Sequence, residues 1–389
     1  MRSRRRLPAA VIALGVTSFF TDVGTEMIFP LLPVFLASLG ASPTFLGLIE
    51  GLADAVASLL KLLSGYAADR LRRRKPLVLF GYGVASIARP LVALATSPWH
   101  VLAVRVTDRI GKGVRASPRD ALIAASVPRE EAGRAFGFHN AMDHAGAVAG
   151  PLVATGLLAL GWPLRSVFWV AAIPGLAATL TVATVREPPM TARSAQAASQ
   201  LPTPFPSAVR SYFAILLLFS LGNSSDAFLL LRAKDLGVAV PAIPLLWAVF
   251  HVAKLVSSYL GGGWSDRIAR PKLITLGWLI YAATYFAFGV ATKAWQAWAL
   301  FVVYGTYYGL TEPVEKALVK DLVPSEAQGR AYGVYNFIIG VSAVPAGLLT
   351  GWLWQARGAS IALGTGAGLA AVSSVALLAW SRKVSEIRH

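Results

Sequence analysis

Gly65-Tyr-Ala-Ala-Asp69-Arg70-Leu-Arg-Arg73-Arg74-Lys75 is echoed 197 residues later by Gly262-Gly-Trp-Ser-Asp266-Arg267. A second pair, Gly133-Arg-Ala-Phe-Gly137 and Gly329-Arg-Ala-Tyr-Gly333, stands 196 residues apart, and Asn140 and Asn336 keep that spacing. Two independent markers at nearly one offset argue for duplication of a unit about half the chain long. Each copy of the first marker closes an apolar run, so the repeated unit is to be sought in the apolar runs.

Those runs fill the chain. Of 389 residues, 56% are hydrophobic and 14% charged, where a soluble domain carries about 25% charged residues. A soluble core cannot hide that much apolar surface, so the composition predicts a polytopic, all-α membrane protein. Twelve spans are predicted, at 8–38, 44–66, 76–96, 99–126, 134–160, 164–185, 211–231, 243–263, 272–291, 296–322, 330–355 and 359–381. Met1 to Arg6 followed by an apolar run imitates a signal peptide. The run continues past Asp22 and Glu26 to Pro33 with no small-x-small cleavage site, so an uncleaved first span is expected. The absence of cysteine excludes a disulfide framework, an iron–sulfur cluster and a thiolate metal site.

A net charge of +17 suggests nucleic acid in a soluble protein; in a membrane protein it reports topology. With both termini cytoplasmic, 22 Lys and Arg fall on inside segments, among them the cluster from Arg70 to Lys75. Only Arg165, Arg232, Lys234, Lys293 and Arg357 fall outside. That asymmetry predicts a multi-pass protein of the inner membrane with no nucleic-acid partner. Residues 187–210, rich in Pro, Ala, Ser and Thr, read as a cytoplasmic linker between an N-terminal six-helix bundle, 1–186, and a C-terminal one, 211–389. Duplicated bundles of this kind place a substrate site near the midplane and give alternating access by rocking one half against the other.

At these residues the chain resembles the major facilitator superfamily, over essentially its whole length. Gly65, Asp69, Arg70 and Arg73 are similar to that superfamily's motif A, with a second copy at Gly262, Asp266 and Arg267. Arg105, Gly111 and Gly113 resemble motif B, except that Arg109 stands where the motif has glycine. Gly146-x-x-x-Gly150-Pro151 resembles motif C, the antiporter-associated pattern, and Asp22 with Pro30-x-x-Pro33 is similar to the acidic first helix of efflux members. The resemblance implies a transporter and not an enzyme. It implies that the motif A residues latch the inside gate, setting turnover and not substrate choice. The stretch from Asp108 to Asp120 also resembles a prokaryotic subgroup with neighbours linked to export of nickel or other metals.

Nineteen charged residues remain at membrane depth, nine basic and ten acidic. Each unpaired one costs ~2.5–3.5 kcal/mol on insertion scales, so they must face one another or a wet cavity. In span 4, Arg105, Asp108, Arg109, Lys112, Arg115, Arg119 and Asp120 fall within an arc of roughly 140° at helical spacing. This stripe reads either as an ion-pair ladder or as the wall of a substrate cavity, and Pro118 is expected to bend it. Asp22 and Glu26 share one face of span 1, where ionisation of one opposes ionisation of the other. A cation such as Arg105 favours the ionised acid, and its withdrawal lets the acid take up a proton. These three are the candidates for proton coupling, with the proton gradient as energy source and no cofactor.

Span 5 carries His139, Asn140 and Asp143 as candidate proton or substrate contacts. With Asp22 and Glu26, His139 and Asp143 form the alternative metal set. In the second half, Asp226, Tyr304, Tyr308, Glu312 and Glu315 predict an aromatic and acidic wall that suits an amphiphilic organic molecule or a cation over the tyrosines. The expected function is proton-coupled antiport exporting a small amphiphilic or charged organic compound, by a monomer. The alternative is export of a divalent metal or its chelate, of the nickel, cobalt or iron type. A membrane-embedded enzyme and a non-transporting receptor are the remote alternatives.

Overall fold

The computed structural model describes residues 7–70, 74–128, 131–187, 205–264, 268–323 and 327–388, and among these all regular structure is helical. Of the motif residues, Arg73, Asp266 and Arg267 lie outside the described residues, as do the side chains of Asp69 and Arg70 and the surroundings of Gly262.

Helices occupy every apolar run. The first half holds α1 (Ala9–Ile28), α2 (Leu32–Ser38), α3 (Pro43–Arg70), α4 (Lys75–Ala88), α5 (Pro98–Ala125), α6 (Ala132–Ala159), α7 (Leu164–Val170) and α8 (Ala172–Ala183). The second holds α9 (Ser207–Gly222), α10 (Ala227–Asp235), α11 (Ile243–Trp264), α12 (Arg270–Val290), α13 (Ala294–Leu322), α14 (Gln328–Arg357) and α15 (Ala359–Arg388). Eight helical stretches among the described residues are long and apolar enough to cross a membrane. In α3, α5, α6 and α13, charged or polar residues interrupt the apolar run.

Three local departures from the sequence expectation have physical causes. The first segment breaks at a 3-10 turn, Phe29–Leu31, where Pro30 and Pro33 remove backbone donors. The seventh begins at Ser207 and breaks between Gly222 and Ala227, because Asn223, Ser224, Ser225 and Asp226 offer side-chain competitors for backbone hydrogen bonds. The span expected to end at residue 66 continues to Arg70 as the last turn of α3; no proline stands there to stop the helix. Pro118 lies inside α5 without interrupting it.

Contacts divide the chain into two units. The first is Met1–Phe29 with Val56–Pro202. In it α1 packs on α6 and α8, and α4 on α5 and α8. The motif C glycines sit at the closest approach of α6 to α1: a Cβ on Gly146 would lie 2.4 Å from the Phe19 carbonyl oxygen, and one on Gly150 2.5 Å from that of Val23. The Glu187 carboxylate accepts the backbone N–H groups of Arg74 at 2.6 Å and Lys75 at 3.2 Å, placing an anion on the N-terminus of α4.

The second unit is Pro30–Ala55 with Thr203–His389. It therefore holds α2 and the first turns of α3, which belong to the first half of the sequence. There α2 packs on α10, and Gly47 of α3 meets Gly347 of α14 backbone to backbone. Thr44 Oγ1 donates to Gln355 Oε1 at 2.8 Å across the same contact. The rest of the unit is α11 on α13, α12 on α13 and α15, and α9 on α14 and α15.

Candidate functional site

In the first unit part of the span 4 stripe, on α5, forms a buried ion network. Asp108, 2% exposed, accepts from Arg89 Nε at 2.7 Å, and Arg89 Nη1 donates to the Thr21 carbonyl at 3.0 Å. Arg105 Nη1 stands 4.0 Å from the other Asp108 oxygen, and its guanidinium lies 5.6 Å over the Phe29 ring. Arg109 is buried beside them and acts on the Asp108 charge. Arg115 stacks 4.4 Å over the Tyr82 ring, and Arg119 pairs with Asp120 at 2.8 Å. The Asp108 end of the stripe is thus an ion-pair centre. Its strongest partner, Arg89, is absent from the sequence-derived site, because it stands alone on its helix; the dipeptide Arg89-Pro90 at a helix end was the available signal.

Asp22 and Glu26 are half-buried on α1. The charges acting on Asp22 are those of Asp143, Glu26, Lys112 and Arg115, so acids from α1 and α6 share one neighbourhood with two cations of α5. His139 is 1% exposed; its Nε2 is 3.8 Å from Asp143 Oδ2, and neither ring nitrogen has a hydrogen-bond partner. Lys112 and Asn140 are exposed. Among the described residues no three His, Asp or Glu side chains converge as metal ligands. The alternative set of His139, Asp143, Asp22 and Glu26 is not gathered as a metal site among the described residues.

The second unit holds a cavity of about 320 Å³. Phe219, Tyr307, Tyr308 and Ile339 form its apolar wall; Asn223, Glu312, Glu315, Lys316, Tyr335 and Asn336 supply polar groups. Glu315, 5% exposed, accepts from Trp278 Nε1 at 2.9 Å and from the Tyr335 hydroxyl at 2.7 Å. The Trp278 indole is itself fixed by stacking on Phe219 at 4.3 Å. Glu312 lies between Lys316 at 3.2 Å and Lys254 at 3.6 Å, and Lys254 sits 4.0 Å over the Tyr308 ring.

Behind this wall the break between α9 and α10 is closed by tyrosines. Tyr281 donates to the Gly222 carbonyl at 3.0 Å and Tyr285 to that of Ser224 at 3.2 Å. The Asp226 carboxylate accepts from Tyr304 at 2.7 Å and Tyr308 at 3.0 Å. Of the residues expected in the aromatic, acidic wall, Tyr308, Glu312 and Glu315 line the cavity; Asp226 and Tyr304 stand behind it.

Tyr335 was missed as a site residue, and Trp278 stood only among the aromatics of span 9; the repeat register relates both to the first half. An offset of 196 relates Tyr82 to Trp278, Arg119 to Glu315 and His139 to Tyr335. In the first unit Arg119 pairs with Asp120, and the Tyr82 hydroxyl, like the His139 ring, has no hydrogen-bond partner. In the second, Trp278 and Tyr335 hold Glu315. The two halves thus place opposite charges at one repeat position and satisfy them differently.

The model of the Major Facilitator Superfamily matches residues 14–231 and 212–388. An uncharacterised MFS-type transporter of Methanocaldococcus jannaschii is 30% identical over 358 residues, covering 90% of each chain. Multidrug resistance protein MdtG of Enterobacter lignolyticus is 28% identical over 333 residues, covering 82% of this chain and 79% of that one. Among solved structures, the nucleoside transporter NupG aligns with a TM-score of 0.79 at 14% identity, covering 95% of this chain and 99% of that one.

Proposed function

Because the chain belongs to the Major Facilitator Superfamily, a family of multi-pass membrane transporters for small molecules, we propose that it is a proton-coupled antiporter exporting a small amphiphilic or charged organic compound. In this reading it has twelve spans, lies in the inner membrane with both termini cytoplasmic, and works as a monomer by alternating access. The observation that carries the substrate class is the cavity around Glu315. An aromatic wall faces a few fixed polar groups, the composition of a site for an organic molecule with one apolar side. The name of the multidrug resistance relative agrees with export.

Coupling is assigned to Asp22 and Glu26, with Arg105 and the other α5 cations as charges whose distance from the acids changes during the cycle. The gate motifs at Gly65, Asp69, Arg70 and Arg73, and at Gly262, Asp266 and Arg267, set turnover. Metal export is the weaker reading, since the described His and carboxylate side chains do not converge. The test is the purified protein in liposomes with an imposed proton gradient. Substrate-dependent proton flux is expected, lost in Asp22→Asn or Glu26→Gln and stopped in Arg105→Ala. Unchanged coupling in both acid variants removes them as the proton site, and binding without flux removes the transport reading itself.

A further inference from the structure

In the polar wall of the Glu315 cavity most donors are engaged and several acceptors are open. The Tyr335 hydroxyl donates to Glu315 at 2.7 Å, that of Tyr308 to Asp226 at 3.0 Å and that of Thr311 to the Tyr307 carbonyl at 2.9 Å. Asn223 gives an amide N–H to the Tyr307 hydroxyl at 3.4 Å, and Asn336 gives one to the Tyr332 carbonyl at 2.8 Å. The amide oxygens of both asparagines accept nothing among the described residues. The donors that remain beside them are the Tyr307 hydroxyl, which accepts from Asn223, and Lys316, whose ammonium is on Glu312 at 3.2 Å.

Glu315 is the strongest of the open acceptors. It is 5% exposed, and each oxygen takes one neutral donor, the Trp278 indole on one and the Tyr335 hydroxyl on the other. A carboxylate has about four acceptor sites, so both oxygens keep room for another donor. Among the described residues no cation pairs with Glu315, although a buried carboxylate is best satisfied by one. Phe219 and Tyr307, with ring centroids 6.2 Å apart, give the cavity its apolar side.

We infer that the compound this cavity takes is an organic amine in its ammonium form, primary or secondary, carrying an aromatic body. The inference rests on the reading of the Glu315 cavity as the substrate site. The N–H groups of such a cation match Glu315 and the open amide oxygens, and bonds from an ammonium to a carboxylate are the charge-assisted, stronger kind. Its aromatic body covers Phe219 and Tyr307, whose ring faces also attract positive charge. A quaternary ammonium brings the same charge without an N–H, and leaves those acceptors unmet. An anionic compound brings acceptors to acceptors, and its charge opposes that of Glu315.

The experiment uses the purified full chain and three probes of one skeleton: naphthylethylamine, its trimethylammonium analogue and naphthylpropanoate. Binding is read near neutral pH by thermal unfolding and by titration calorimetry. The amine is expected to raise the unfolding temperature and to bind at least about tenfold more tightly than the trimethylammonium analogue, as the loss of a hydrogen bond to a charged group requires. The propanoate is expected to leave the unfolding temperature unchanged. Glu315→Gln is expected to bring the amine and its trimethylammonium analogue to near parity, whereas Asp235→Asn, which removes an exposed acid outside the cavity, keeps the preference. Asn336→Ala is expected to weaken the amine alone, and with the wild-type ranking it decides the matter if Glu315→Gln does not fold. Failure of the amine to bind, equal binding of amine and trimethylammonium analogue, or tighter binding of the propanoate overturns the inference. Equal loss in Glu315→Gln and Asp235→Asn also overturns it, by showing bulk charge to be the cause. Proton flux in liposomes separates this inference from the reading beneath it. Amine binding of the expected rank without flux supports the cation assignment and overturns antiport; flux driven by the propanoate, with the amine unbound, overturns the cation assignment and leaves antiport standing.

Discussion

Asp108 and Glu315 are both buried carboxylates, satisfied in different ways. Asp108 is held by cations, first of all Arg89 at 2.7 Å; Glu315 is held by two neutral donors. Removing one partner of a buried ion pair costs about 3–5 kcal/mol, because the other charge is left uncompensated. Arg89→Gln should therefore sharply lower the unfolding temperature in detergent, and adding Asp108→Asn should recover much of the loss. Additive effects of the two changes would show that the pair is not coupled. Tyr335→Phe removes one of the two donors to Glu315, a loss of about 1.5–3 kcal/mol for a bond to a charged group. If Glu315 contacts substrate, Tyr335→Phe should weaken ligand binding more than Tyr332→Phe, whose hydroxyl donates to the Lys316 carbonyl at 3.2 Å. Helical spacing made the Glu315 face legible in sequence. Arg89 was legible as one of the nine basic residues at membrane depth, but its pairing was not, because its partner lies 19 residues away on another helix and no periodicity marks a single residue.

At the scale of elements, glycine spacing and helix breaks divide the same way. Gly146 and Gly150 were readable as a motif, and the structure gives them a mechanical meaning, direct backbone contact between α6 and α1. Gly150→Ala should destabilise by about 1–3 kcal/mol through overpacking. Gly156→Ala on the same helix, where a Cβ meets nothing within 4 Å, should not; equal effects would put the cost in the helix and not in the contact. The breaks within the first and seventh segments were not read as breaks, because each lies inside a long apolar run, although Pro30 and Pro33 in one and Asn223 to Asp226 in the other mark them. A further element-scale feature concerns the basic residues expected outside. Arg165 donates to the Ala95 carbonyl at 2.8 Å and Arg232 to that of Ala291 at 2.7 Å. These carbonyls stand 196 residues apart, at equivalent ends of the two halves. Each arginine supplies donors and positive charge where a helix terminates. Arg165→Ala and Arg232→Ala should each lower thermal stability while leaving topology unchanged.

At the scale of the whole molecule, the chain's lack of cysteine makes orientation directly measurable. Single cysteines placed in 187–210 should be labelled by an impermeant reagent only from the cytoplasmic side, and cysteines at 161–163 only from the other; the reverse pattern would overturn the positive-inside assignment. The helical class was legible because it rests on sums over many residues. The grouping of Pro30–Ala55 with the second half was not, because it depends on glycine-to-glycine contacts between distant segments. That grouping has a last consequence. A gene divided at the linker, giving 1–186 and 211–389 as two polypeptides, would make the second without α2 and Gly47, the partners of α10 and Gly347. The second polypeptide alone would lack part of its own contact unit and would need the first present to complete its fold.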